Sequence, residues 1–144
     1  MKVADVMSTA VEFIDGTAPV KEAAELMGEL DVGALPIGTA EALDGIVTDR
    51  DLLFRVVAAG LDPKTALVRD VASRSVIACR DSDELRVAMD LMAANQIRRL
   101  PVMDDRGHVC GWVTLADISR KLLVESRDLQ GALSRITEAD AAAA

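Results

Sequence analysis

Aromatic residues are nearly absent from this chain of 144 residues, which contains one Trp, two Phe and no Tyr. The core must therefore be aliphatic, and single-stranded nucleic acid, which stacks on exposed aromatic rings, is a poor candidate partner. Basic residues are also outnumbered, with 16 Lys and Arg against 24 Asp and Glu, so the formal net charge is −8. Such a surface repels a phosphate backbone, and we expect no binding to DNA or RNA.

Histidine and cysteine are scarce as well, since His108, Cys79 and Cys110 are the complete set. None lies in a CxxC or Cys/His cluster, so we expect no metal site within one chain, and His108 is expected to be solvated. Two isolated thiols without a secretory signal pattern predict a cytoplasmic protein with small buried cysteines. A redox role would require the thiols to meet across a seam or between subunits. No apolar run approaches the roughly 20 residues that span a membrane, so no membrane association is expected.

The chain contains an internal repeat. VADVMS at Val3–Ser8 matches VRDVAS at Val68–Ser73 with a shift of 65 residues, and LPI at Leu35–Ile37 matches LPV at Leu100–Val102. After one inserted residue, GIVTDRDL at Gly45–Leu52 matches GWVTLADI at Gly111–Ile118 with a shift of 66. The sequence therefore predicts copy one at 1–60, a linker at 61–67, copy two at 68–125 and a tail at 126–144, which is helical or partly disordered.

Each copy has the pattern strand–helix–strand–strand–helix, which predicts a mixed α/β (α+β) fold of two β-α-β-β-α repeats. Copy one is predicted to have strands at Val11–Ile14, Ala34–Ile37 and Leu43–Val47, a helix opened by Thr17-Ala18-Pro19, and a closing helix at Asp49–Ala59 stopped by Gly60. Copy two is predicted to have strands at Val76–Cys79, Arg99–Met103 and Val109–Val113, a helix with Asp81 as its N-cap, a hairpin loop at Asp104–Gly107, and a closing helix from Leu115 to about Glu125. Half of this chain is marginal for a core, so the copies should pack as a pseudo-two-fold pair with clefts at their seam.

The repeated Thr-x-x-Asp has two interpretations. Thr48 with Asp51, and Thr114 with Asp117, can form capping boxes at helix starts, although Asp reaches back less well than the usual Glu. The same geometry suits a ligand, because a helix N-terminus attracts phosphate and a fixed carboxylate can accept both hydroxyls of a ribose. The residues alone leave both interpretations open.

The duplicated unit, its LPI and RRLPV strands and its Gly-x-x-Thr-x-x-Asp endings resemble a tandem pair of CBS domains, a Bateman module of the small stand-alone bacterial type. The resemblance covers roughly residues 1–125. It implies a regulatory module, not an enzyme, that binds AMP, ADP, ATP or S-adenosylmethionine in the seam and requires no other cofactor. It also implies a homodimer that passes its signal to an unidentified regulated partner.

The resemblance carries ligand roles onto individual residues. Asp51 and Asp117 match the ribose-binding acid, and Thr48 and Thr114 match the hydroxyl at the helix start. Phosphate contacts fall on Arg99, with Arg98 beside it and Arg50 as the candidate substitute in copy one. Adenine is expected against the first strand of each copy and the segment that precedes it, around Val11 and Val76.

Because copy one has Gly33-Ala34 where copy two has Arg98-Arg99, we expect the cleft with Arg99, Thr114 and Asp117 to prefer anions. Adjacent strand residues point to opposite faces, so only one of the two arginines should face it; the other interpretation of the pair is a solvated strand start. The competing function is a ligand-free dimeric scaffold in which Thr-x-x-Asp only caps helices. In the tail, Leu122, Leu123, Leu129, Leu133 and Ile136 could extend the last helix and cover another subunit, with Ala141–Ala144 expected to fray.

Overall fold

The mixed α+β fold is confirmed by a computed structural model, which describes residues 1–143 and the side chains of residues 1–136. Copy one begins with a 3₁₀ turn at Val3–Asp5 and continues with α1 Val20–Leu30, β1 Ala34–Gly38, β2 Leu43–Thr48, α2 Asp49–Leu52 and a π-helical turn at Leu53–Val57. Copy two contains α3 Val68–Val71, β3 Cys79–Arg80, α4 Leu85–Asn95, β4 Arg99–Met103, β5 Val109–Thr114 and α5 Leu115–Ala143.

Each copy contains an antiparallel hairpin with the same register. In copy one β1 pairs with β2, so that Leu35 faces Val47, and in copy two β4 pairs with β5, so that Leu100 faces Val113. Both hairpins contain the same bulge near the loop, and the residue that shifts the repeat from 65 to 66 lies in the loop, which spans residues 39–42 in copy one and 104–108 in copy two. The predicted loop Asp104–Gly107 closes the second hairpin, with Gly107 at φ +77.

The segments that precede the first strand position of each copy, residues 1–13 and 66–78, are here called the lead-ins, and they cross between the copies. Ser8 of copy one bridges to Trp112 of β5, and Ser73 of copy two bridges to Ile46 of β2. The lead-ins also cap the first helix of the other copy, because the N–H of Leu85 donates to the carbonyl of Met1 at 2.9 Å. The matching N–H of Val20 donates to Ala66 at 2.8 Å. Each sheet, and the start of α1 and of α4, is therefore completed by the other copy.

The two hydrophobic cores are composite for the same reason. Val3, with none of its surface exposed, packs in the copy-two core with residues of β4 and α4. Val68 and Val71 pack in the copy-one core, against residues of α1 and β1. Neither copy can form its observed core from its own residues alone, which is how two marginal units share one fold.

Several predicted boundaries are wrong. Val11–Ile14 is not a strand, and only Ile14 forms a bridge, while the strand predicted at Val76–Cys79 is reduced to Cys79–Arg80. Asp81 is not an N-cap: α4 starts at Leu85, because the Met1 carbonyl already caps its first amide.

The closing helices differ most from each other. In copy one the predicted helix consists of α2 followed by the π-helical turn Leu53–Val57, and Gly60 follows it at φ +72. In copy two α5 does not stop near Glu125 but continues to Ala143, and Ala144 lies outside the described residues. None of the helices within residues 1–143 combines the length and apolar character that a membrane span requires.

Candidate ligand-binding clefts at the seam

Two open clefts lie side by side where the copies meet. The cleft of about 470 Å³ that contains Thr48 is here named the Thr48 cleft, and the one of about 660 Å³ that contains Asp117 is named the Asp117 cleft. Both volumes fall in the range typical of small-ligand sites. The Thr48 cleft is lined by Gly33, Ile46, Thr48, Asp49, Arg50, Ser73, Ser75, Val76, Ile77 and Gln96–Arg99. The Asp117 cleft is lined by Ser8, Ala10, Asp31–Gly33, Arg98, Arg99, Trp112, Thr114–Asp117 and Ser119.

Capping boxes form at both Thr-x-x-Asp stretches. The amide of Asp51 donates to Thr48 Oγ1 at 3.1 Å, and the amide of Thr48 donates back to Asp51 Oδ2 at 2.9 Å. In copy two the corresponding distances between Thr114 and Asp117 are 3.1 Å and 3.3 Å. The short Asp side chain therefore closes the box, contrary to the expectation that it would reach back poorly. Capping accounts for one carboxylate oxygen of each Asp.

The second carboxylate oxygen faces an arginine one turn along the same helix. Arg120 donates to Asp117 Oδ1, and Arg55 lies 3.9 Å from Asp51 Oδ1. The side chain of Asp117 is 24% exposed and lines its cleft, whereas that of Asp51 is 16% exposed and is absent from the lining of the Thr48 cleft. Of the two matched acids, Asp117 is the one placed to accept a ligand.

Arg98 and Arg99 lie on the ridge between the clefts and line both of them. The Arg99 guanidinium occupies the space over Gly33, where a side chain would be only 3.0 Å from its Nη1. Neither arginine makes an ion pair or a side-chain hydrogen bond within residues 1–136. The expectation that only one would face a cleft is wrong, because Arg98 precedes β4 and strand alternation does not apply to it.

The charge of the clefts reverses the expected asymmetry. The shared ridge gives both clefts two arginines, and the Thr48 cleft adds Arg50, whose guanidinium lies 5.2 Å from the centre of the Phe54 ring. Three arginines against Asp49 leave the Thr48 cleft at +2, while two arginines against Asp31 and Asp117 leave the Asp117 cleft neutral. The Thr48 cleft is thus the one that favours an anion.

The candidate adenine contacts are only partly brought together. Val76 lines the Thr48 cleft, as part of the copy-two lead-in that crosses to copy one. Val11 instead lines a neighbouring groove of about 250 Å³ that meets the Asp117 cleft at Ala10, Val32 and Trp112. Sequence reasoning missed Trp112, the one tryptophan of the chain, which stands in the Asp117 cleft where Ile46 stands in the Thr48 cleft. The repeat alignment paired these two residues, and that was the available signal.

The cysteines lie in the copy-two sheet, away from both clefts. Cys79 is buried, and burial raises the pKa of its thiol to about 11. Burial also raises the pKa of the half-buried Cys110. His108 is half-buried in the hairpin, and its amide donates to Asp104 Oδ1 at 2.9 Å. Within the part of the chain whose side chains are described, no three His, Cys, Asp or Glu side chains are grouped to hold a metal ion.

Two crossed copies, each with a helix, a β-hairpin and a closing helix, and with twin seam clefts that each contain the Thr of a Thr-x-x-Asp helix start, define a class of protein. The family model of the CBS domain matches residues 3–58 and 68–124, and the chain belongs to the CBS-domain family. CBS-domain pairs are generally regulatory, nucleotide-binding modules, and stand-alone ones are typically not catalytic.

Some relatives match the chain over most of their own length. The chain is 37% identical over 119 residues to Hypoxic response protein 1 of Mycobacterium tuberculosis, which covers 82% of both proteins. It is 38% identical over 117 residues to the CBS domain-containing protein YhcV of Bacillus subtilis, covering 81% of this chain and 82% of that one. A crystal structure of Hypoxic Response Protein I with two coordinated zinc ions superposes with a TM-score of 0.75 at 35% identity, covering 83% of this chain and 98% of that one.

Proposed function

We propose that this chain is a regulatory module that binds an adenosyl ligand, such as AMP, ADP, ATP or S-adenosylmethionine, in its seam clefts and passes the signal to a partner protein. The observation that carries the proposal is the pair of free guanidiniums of Arg98 and Arg99 on a ridge that both clefts share. In a chain of net charge −8, unpaired arginines in a concave site favour a phosphate, which a guanidinium binds with two hydrogen bonds.

Each part of the ligand has a matching group. In the Asp117 cleft, Asp117 accepts from the ribose hydroxyls, while the indole of Trp112 offers an apolar face to the base. In the Thr48 cleft, Thr48 lies beside three arginines, which suits a phosphorylated ligand better than a neutral one. We therefore propose that more highly phosphorylated nucleotides prefer the Thr48 cleft.

The alternative is a ligand-free scaffold in which the Thr-x-x-Asp stretches only cap helices. Both capping boxes are present, as that alternative requires. It gives no use, however, to two open clefts or to arginines there that have no side-chain partner among residues 1–136. These two features favour the ligand-binding function.

We also propose that the module acts as a homodimer in the cytoplasm. Leu53, Phe54 and Val57 of the copy-one π-helical turn are 54%, 55% and 70% exposed, and Leu122 and Leu129 of α5 are 41% and 61% exposed. Exposed apolar patches of this kind are typical of interaction surfaces, and a second copy is the simplest occupant.

Zinc is a separate matter, because the related crystal structure contains two zinc ions. The donors here do not fit such a site: Cys79 is buried with a raised pKa, and no group of three metal-binding side chains is formed among residues 1–136. The proposed function does not involve zinc.

The test is calorimetric titration of the full chain with AMP and adenosine, with Trp112 fluorescence followed in parallel. Trp112 lines only the Asp117 cleft of the two, so its emission reports that cleft. In Asp117→Ala we expect adenosine to bind at least tenfold more weakly, since a hydrogen bond to a charged group contributes about 1.5–3 kcal/mol. Arg99→Ala should weaken AMP more than adenosine, because only AMP carries the phosphate.

Asp51→Ala is the matched control, since it removes the same kind of helix cap from the other copy. It should leave the Trp112 response to adenosine unchanged. Equal binding heat and equal fluorescence change in the wild type and in Asp117→Ala would reject the assignment and leave the scaffold. An adenosine response lost equally in both variants would assign the loss to stability instead of binding.

A further inference from the structure

A further cavity lies at the opposite end of β2 from Thr48, between copy one and the crossing segment of copy two. Its volume is about 350 Å³, and its charged residues are Asp15, Asp44, Arg69 and Arg74. Gly45, Ile37 and Ala72 form its apolar part. It shares no lining residue with the Thr48 cleft or the Asp117 cleft, so it is a separate site.

The matched space in the other half of the molecule is filled by a side chain. In copy two the side chain of Met7 lies over Gly111, with its sulfur 2.6 Å from where a Cβ would be. The matched residue over Gly45 is Ala72, and the nearest atoms there are those of the Ser73 carbonyl. The bridge pairing and its hydrogen bonds are the same on both sides, and the short Ala72 side chain leaves open the space that Met7 fills over Gly111.

The charged residues around the cavity, two from each copy, are not repeated at the matched positions. At the positions of Arg69, Arg74, Asp15 and Asp44, the other copy has Ala4, Thr9, Arg80 and Cys110. No ion pair or hydrogen bond joins the two arginines to the two aspartates, so four exposed charged side chains, two of each sign, line one cavity. The hydroxyl and amide of Thr17 both donate to Asp15, which lowers the pKa of that carboxyl and keeps it ionised at neutral pH.

We propose that this cavity binds a small zwitterion, an α-amino acid with an aliphatic side chain. Its carboxylate would lie against Arg69 and Arg74, and its ammonium against Asp15 and Asp44. A simple anion would be repelled by the two carboxylates, and a simple cation would be repelled by the two guanidiniums. A zwitterion can place each of its charges beside groups of the opposite sign. The aliphatic side chain would contact Ile37 and Ala72. Gly16 helps to form the site, because an added Cβ there would lie 3.2 Å from Cβ of Arg69.

The test uses L-valine and two fragments of it: isovalerate, which lacks the ammonium, and isobutylamine, which lacks the carboxylate. Amide shifts of Gly16, Thr17 and Gly45 are followed by NMR in the ¹⁵N-labelled full chain. We expect saturable shifts with L-valine and at least tenfold weaker binding of either fragment. No saturable shift with L-valine, or isovalerate binding as tightly as L-valine, would overturn the proposal.

Two variants use the other copy as a template. Ala72→Met restores the side chain that fills the matched space and should abolish the shifts. Arg69→Ala with Arg74→Thr places the matched copy-one residues, Ala4 and Thr9, at two exposed positions and should do the same. Unchanged L-valine binding in the arginine variant would reject the site even if Ala72→Met failed to fold. The response of Trp112 to adenosine should be normal in the arginine variant, so this inference and the proposed function can fail independently.

Discussion

Each copy receives its lead-in from the other, and the pairing is the same on both sides. Ser8 exchanges two backbone hydrogen bonds with Trp112, at 2.8 Å each, and Ser73 exchanges two with Ile46, at 3.0 Å each. The side chains at these positions diverge, since Trp112 matches Ile46 and Met7 matches Ala72. The main chain thus fixes a symmetric frame, and side chains make the cavities of the two halves unequal.

The two seam clefts differ because matched side chains of the two copies differ. Both take Arg98 and Arg99 from a common ridge, so the arginines of copy two do not distinguish them. What distinguishes them is Arg50 on one side and the pair Asp117 and Trp112 on the other. One fold can therefore present an anion-favouring cleft and a neutral, aromatic cleft about one strand apart.

The prediction with the largest expected effect tests whether each hydrophobic core contains residues of the other copy. Val3→Ala removes two methyl groups from a fully buried position, and we expect about 2 kcal/mol of lost stability in urea unfolding. Because Val3 packs in the copy-two core, hydrogen exchange should quicken first in β4 and β5 rather than in the strands of copy one. Val68→Ala should give the mirror image, with β1 and β2 losing protection first.

Val87→Ala is the control, because Val87 lies on α4 with 41% of its surface exposed. It should change stability by less than about 0.5 kcal/mol. If Val3→Ala instead loosened the strands of copy one, the crossed arrangement of the cores would be wrong.

An intermediate effect tests whether the two capping boxes are equivalent. The amides of Asp51 and Asp117 both donate to their Thr hydroxyl at 3.1 Å, so Thr48→Ala and Thr114→Ala should cost the same, about 1 kcal/mol each. Urea unfolding measures both. Thr48→Ser and Thr114→Ser keep the acceptor oxygen and should recover most of the loss. A cost confined to one copy would break the equivalence of the two helix starts.

The sequence predicted most of the fold because duplication and hydrophobic spacing are local signals. The hairpins at β1–β2 and β4–β5 and the starts of α2 and α5 follow directly from them. The first strand of each copy was overestimated because Val11 and Val76 belong to lead-ins that run across the seam. Sequence periodicity shows that a segment is apolar, not which copy it packs against. The helix ends at Asp31 and Gln96 were also missed, because each adopts a left-handed conformation at φ 54 without being glycine.

The sequence indicated most of the residues that line the candidate clefts, but not how these residues are divided between the two clefts. Thr48, Arg50, Val76, Arg98, Arg99, Thr114 and Asp117 all line a seam cleft, while Asp51 and Val11 do not. Arg99 could not be assigned to both clefts from sequence, since its reach depends on the empty space over Gly33 in the other copy. Contacts of this kind arise only when the copies are docked.

The smallest effect compares the two hairpin loops under acid. Asp104 Oδ1 accepts from the amides of Arg106 and His108, both at 2.9 Å, and the His108 amide is the main cause that lowers the pKa of Asp104 below its ordinary value of 3.8. The copy-one loop is closed by a hydroxyl, with the Ala42 amide 3.1 Å from Thr39 Oγ1, and that group does not titrate. A carboxyl whose pKa is lowered by folding stabilises the fold above its ordinary pKa, and this contribution is lost as the pH falls through the folded value. We therefore expect the protection of the His108 amide to decrease on acidification below pH 4 while that of Ala42 persists, as measured by hydrogen exchange. Asp104→Asn keeps an acceptor without the charge and should remove the pH dependence; protection of His108 that is constant down to pH 2 in the wild type would show that the loop does not depend on the carboxylate.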